Sequence, residues 1–153
     1  TGERYYGKPR AYRALLGRMP RDREGAIRRG VALFHALVGP GFPLDEARCR
    51  ELLERSLDRC PANPEGFKRQ FAAILGSGNR VKALRQLKLP TLVMHGTADP
   101  LIPIAAGQAT AAAIPGAEFV PIEGMGHQMP EAAWPVFVDA LAKHALSSSA
   151  TAP

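Results

Sequence analysis

At 153 residues the chain is long enough for one ordinary domain with a core of its own. Its apolar fraction of 46% is that of a globular protein, and it holds no run of about eighteen apolar residues, which excludes a transmembrane helix. The net charge of +6 is uneven: residues 1–89 carry 19 of the 20 Lys and Arg and 9 of the 14 Asp and Glu, leaving the remainder acidic.

That basic half has no stacking platform of interleaved aromatic and basic residues, so it does not read as a nucleic-acid surface. In "DREGAIRRG" and "DEARCRELLERSLDR" opposite charges fall three and four residues apart, the pattern of a solvated helical face. Cys49 and Cys60 are too few to staple a fold and stand in no metal-ligand spacing. They read as two buried, reduced thiols of a cytoplasmic protein, and neither a metal nor another cofactor is expected. The opening "TGERYYGKPR" has no initiating Met and no signal-peptide pattern, and reads as internal to a longer chain.

In chain order, residues 22–38 form the first expected helix, with Ile27, Val31, Phe34 and Leu37/Val38 on one face and "GPGFP" as its stop. Asp45 can cap a second helix bearing Cys49, Leu52/Leu53 and Ser56/Leu57. Asn63-Pro64 reads as the cap and first residue of a third, with Phe67, Phe71 and Ile74, ending at Gly76. Asn79 can cap a short fourth with Val81, Leu84 and Leu87. Near Lys88 the period changes. "TLVMHG" is a continuous apolar run ended by glycine, the pattern of a strand buried on both faces of a parallel sheet. A helix rich in small residues follows over Ile104–Ile114, then a second short strand, "EFVPI". After the loop "EGMGH", a last helix begins at Pro130, with Phe137, Val138, Leu141 and Ala145 on one side. The final "SSSATAP" reads as a disordered tail. The expected organisation is therefore a helical segment over 1–88, a β-α-β-α unit with parallel strands over 89–146, and a tail over 147–153.

In open α/β sheets functional groups gather beyond the carboxyl ends of the strands. Two residues separate "TLVMHG" from Asp99, and four separate "EFVPI" from His127, so both emerge on one sheet edge. A carboxylate accepting from one imidazole nitrogen fixes the tautomer and leaves the other nitrogen to take a proton from a nucleophile. Asp99 and His127 are thus the candidate catalytic pair, with Glu123 a less favourable acid because it precedes the glycine loop. His95 reads as a packing residue or a support of the site. His35 and His144 have no evident partner, and Trp134 and Met129, beside His127, read as core in preference to the lining of an apolar pocket.

"LPTLVMHGTADPLIP", followed by "AAAIPGAEFVPIEGMGH", resembles the C-terminal segment of the α/β-hydrolase superfamily. "GMGHQMPEAAWP" is similar to the corresponding stretch of aclacinomycin methylesterase-like esterases. The resemblance implies the C-terminal part of an α/β-hydrolase fold with an incomplete sheet. Residues 1–88 would be its lid, "TG" at the start the end of the preceding strand, Asp99 the triad acid and His127 the triad base. It also implies an upstream nucleophile, since the chain order in that family is Ser…Asp…His. The chain itself has no G-x-S-x-G frame: the nearest approach, "LGSGN", puts Leu75 and Asn79 at the two glycine positions. The expectation is the acid/base half of a serine-type ester hydrolase, inactive alone, acting on a small ester-like substrate and not on nucleic acid or a membrane. It would meet its own N-terminal half, or a second copy, at the open sheet edge. Two alternatives stay open: a non-catalytic remnant or interaction module using the basic helices, and the same fold with an Asp nucleophile, as in dehalogenases and epoxide hydrolases.

Overall fold

Proline at a helix's first position sacrifices no hydrogen bond and presets φ, and Pro9 opens a helix that the periodicity alone does not announce. The computed structural model describes residues 5–61 and 63–150, with the backbone alone for 148–150. In it α1 (Pro9–Leu16) precedes α2 (Arg23–Leu37), α3 (Glu46–Arg59), α4 (Pro64–Gly76) and the single turn α5 (Val81–Leu84). Asp22, Asp45 and Asn63 cap α2, α3 and α4, each accepting from the backbone N–H three residues on, at 2.6, 2.9 and 2.8 Å. Asn79 accepts from Val81 N at 2.9 Å, but the cap position of α5 is Arg80, which makes no side-chain cap bond, and the helix ends at Leu84, short of the expected Leu87. Thr1-Gly2 lies outside the described residues.

The second half is β1 (Leu92–Gly96), α6 (Ile104–Ala113), β2 (Glu118–Ile122), a 3₁₀ turn over Glu131–Ala133, and α7 (Trp134–Ala150). The strands pair in parallel, from Leu92 opposite Glu118 to Gly96 opposite Ile122, so their carboxyl ends coincide. The small-residue helix packs on this sheet, with Gly107 and Ala111 buried. α7 runs four residues into the segment expected as a tail, through Ser147 to Ala150. Ser147 Oγ donates to His144 O at 2.9 Å, a local bond that lets serine continue a helix.

Two apolar clusters hold the halves together. Ile122, Met125, Ala133 and Phe137 form one, with Phe42 from the helical segment and Met94 of β1 against it. Ala11, Leu37 and Leu101 form the other, joining α1 and α2 to the turn that follows β1. The strand expected to be buried on both faces is only half-buried, and in the two-stranded sheet each strand also has an unpaired edge among the described residues. Trp134 and Met129 are not core: they are 51% and 62% exposed. Ala133 and Phe137, four apart, take the inward face of the last helix, which turns Trp134 and Val138 outward. Cys49 is buried, where loss of solvation and then the Glu46 charge raise its thiol pKa, whereas Cys60, at the end of α3, is exposed. No helix among the described residues is long and apolar enough to cross a membrane.

Candidate active site

The register ending both strands level places the loops after β1 and β2 side by side, and backbone bonds zip them. Thr97 N donates to Ile122 O at 3.0 Å, Ala98 N to Met125 O at 3.0 Å, and Gly124 N to Thr97 Oγ1 at 2.8 Å. Gly124 has a φ of 69°, a left-handed conformation that glycine adopts without strain. Asp99 and His127 leave this zipped pair facing one another, with His127 Nδ1 2.8 Å from Asp99 Oδ2. The other carboxylate oxygen accepts from the backbone N–H of Leu101 at 2.8 Å and of Ile102 at 2.9 Å. The Asp99 side chain is 5% exposed and that of His127 38%. The carboxylate is enclosed, and the imidazole reaches the surface.

Electrostatics follow from those contacts. Burial pushes the Asp99 carboxyl up, but the His127 hydrogen bond, the Ile102 and Leu101 amides and the His127 charge outweigh it, so its pKa lies below the ordinary value. The hydrogen bond to Asp99 raises the His127 pKa, burial opposes it, and the Asp99 charge reinforces it. His127 Nε2 makes no hydrogen bond to a described residue. The geometry can therefore hold one tautomer, stabilise the imidazolium and present a free basic nitrogen.

A third support comes from the helical segment. His127 N donates to Leu37 O at 2.9 Å, and Gln128 Nε2 to Phe34 O at 3.3 Å, so the carboxyl end of α2 carries the His127 loop. Gly41 N donates to Gly124 O at 2.9 Å. A Cβ on Gly39 or Gly126 would run into the backbone of the opposite loop. The sequence gives no sign of this contact between segments about 90 residues apart, beyond the glycines of "GPGFP" and "EGMGH".

Glu123 is exposed and makes no contact with His127, so the candidate acid is Asp99. The histidines without an evident partner have one: His35 Nε2 lies 3.0 Å from Glu46 Oε2, and His144 Nδ1 3.4 Å from Glu118 Oε1. The basic helices pair with carboxylates. Arg50 bridges to Glu24, Arg23 to Asp58 at 2.7 Å and Arg48 to Glu131 at 3.0 Å. No group of three or more His, Cys, Asp or Glu among the described residues could hold a metal ion. A cavity of about 1230 Å³ lies within the helical segment, away from the pair, between Leu15 and Leu33 on one side and Phe67, Phe71 and Leu75 of α4 on the other.

A helical segment, a parallel β-α-β-α unit and an acid and imidazole at its carboxyl edge are the C-terminal part of an α/β-hydrolase fold. The chain is similar to an esterase from Rhodococcus sp. ECU1013, at 28% sequence identity and a TM-score of 0.63, over 94% of this chain and 49% of the esterase. It is also similar to a meta-cleavage product hydrolase from Pseudomonas fluorescens IP01, at 18% identity and a TM-score of 0.65, over 95% and 53% of the two chains. An enzyme described as degrading N-acyl homoserine lactones matches at 20% identity and a TM-score of 0.58, over 90% and 54%. The last two likenesses bear on the fold alone. The chain spans about half the length of these structures. No protein-family model matches it.

Proposed function

We propose that this chain supplies the acid and base of a serine-type α/β-hydrolase that cleaves a small ester or related acyl compound. The observation that carries the reading is the 2.8 Å contact between His127 Nδ1 and an enclosed Asp99 carboxylate, with Nε2 left free. The similarity to the Rhodococcus esterase supports the reaction class. In this reading Asp99 holds the Nδ1–H tautomer, and Nε2 takes the proton of a serine hydroxyl as that oxygen attacks the acyl carbon. The imidazolium, stabilised by Asp99, then returns the proton to the leaving alcohol. Water repeats the cycle on the acyl-enzyme.

The nucleophile belongs to a segment outside these 153 residues, because no serine, cysteine or aspartate here stands in a G-x-S-x-G-type frame. The helical segment is the lid, and α2 also carries the base by way of Leu37. The test is to join the chain to the polypeptide encoded immediately upstream and to measure hydrolysis of short-chain aryl esters. Turnover that falls by roughly 10⁴-fold in His127→Ala and in Asp99→Asn supports the reading. Turnover that survives both substitutions, or an upstream segment without a nucleophile frame, rejects it.

A further inference from the structure

Asp99 is aimed by the turn that follows it, and that turn has a holder of its own. Ile102 is fixed at both ends of its backbone: its N–H donates to Asp99 Oδ1 at 2.9 Å, and its carbonyl accepts from His95 Nε2 at 2.8 Å. His95 sits on β1, four residues before Asp99, with its side chain 15% exposed. Its ring lies against α6 at Gly107, where an added Cβ would stand 2.7 Å from His95 Nδ1 and 2.8 Å from Cγ. That is closer than such atoms approach, so the ring occupies its place only because residue 107 has no side chain. Nε2 is 3.7 Å from Asp99 Oδ2, too far for a hydrogen bond. The hydrogen-bonded path from His95 to the Asp99 carboxylate therefore runs through Ile102.

We propose that His95 is a positioning residue: by holding the Ile102 carbonyl it locks the 99–102 turn and aims the Asp99 carboxylate at His127, with Gly107 making room for its ring. The proposal rests on the assignment of Asp99 and His127 as acid and base. The titratable groups facing the His127 ring region are Asp99 and, beyond it, His95; from α2 the loop receives the Leu37 and Phe34 carbonyls.

The test is a titration of histidine side chains by nitrogen–proton NMR on the 153-residue chain, whose four histidines give a tractable spectrum. His127 is assigned by its loss in His127→Asn. In the unaltered chain His127 is expected to titrate above its ordinary 6.5 and to show a downfield Nδ1 proton. His95→Phe keeps a ring but no donor, and is expected to move the His127 pKa down towards 6.5 and to lose the downfield proton. His95→Gln, whose amide can reach the same carbonyl, is expected to keep both. Gly107→Ala retains His95 but displaces its ring, and should reproduce the His95→Phe result.

The sign is diagnostic. Removing a positive charge near His127 would raise its pKa, and removing a neutral ring would leave it unchanged, so a fall reports lost alignment and not lost charge. A His127 titration unchanged in His95→Phe or in Gly107→Ala, even with a lowered melting temperature, would make His95 a packing residue and overturn the proposal. If one variant does not fold, the other carries the comparison. None of these readings needs turnover. Failure of the joined protein to hydrolyse esters leaves them intact, and unchanged titrations beside full turnover remove only His95.

Discussion

Asp99 commits both carboxylate oxygens to fixed donors, which is why its charge is stable although almost wholly enclosed. With a folded pKa below its ordinary 3.8, ionised Asp99 stabilises the fold above that value, and the contribution is lost as pH falls through the lowered pKa. With a folded pKa above 6.5, protonated His127 adds stability that is complete below 6.5 and lost as pH rises through the raised value. Thermal midpoints of the chain should therefore decline on the alkaline side of 6.5, and His127→Asn should flatten that decline. In the proposed mechanism turnover requires the neutral imidazole, so the acid limb of kcat/KM in the joined protein should lie above 6.5, and Asp99→Asn should move it down. The pair was legible in the sequence because each residue follows a short strand by a few positions, and parallel strands bring such loops to one edge. For His95 two readings, packing or support of the site, stayed open. Its partner is a backbone carbonyl seven residues on, and no spacing of side chains reports a carbonyl's direction.

Among the elements, α2 links the helical segment to the His127 loop. Its last carbonyls accept from His127 and Gln128, and the glycines at 39, 41, 124 and 126 let two loops meet backbone to backbone. Gly126→Ala would drive a methyl into the Leu37 carbonyl and the Gly39 amide, and should cost about 1–3 kcal/mol of stability, read as a lower urea midpoint. The same variant should also displace His127 and lower turnover in the joined protein. Gly76→Ala, where an added Cβ meets nothing within 4 Å, is the control and should leave both unchanged or slightly improved. The sequence identified α2, α3 and α4 because each has a side-chain cap before an apolar period. It did not reveal α1, whose eight residues follow an uncapped Lys8 and whose one signal is Pro9. The inward face of α7 was misplaced for a related reason. An apolar stripe wider than its contact offers several candidate faces, and the buried Ala133 and Phe137 select one.

At the scale of the whole molecule, two strands, a half-buried β1 and an outward row of Trp134, Val138 and Leu141 leave apolar surface and backbone donors without cover among the described residues. The isolated chain should self-associate in a concentration-dependent way by sedimentation, and Val138→Asp with Leu141→Asp should weaken that association. The basic half should not compensate by binding nucleic acid, since Arg23 and Arg50 already face carboxylates across α2 and α3 and no stacking platform accompanies the rest. Retention on immobilised DNA should be weak and lost at moderate salt; tight, salt-resistant binding would favour an interaction module. The fold was legible from the change of period near Lys88, but the extent of uncovered surface was not, because periodicity cannot say which faces a neighbouring layer will meet. The most direct test of the central claim is aryl-ester turnover by the purified 153 residues beside the same chain joined to its upstream segment. None above background is expected for the chain alone, and full, His127-dependent turnover for the joined protein. Robust turnover by the 153 residues alone, abolished by His127→Ala, would mean that the chain holds its own nucleophile, and would contradict that claim.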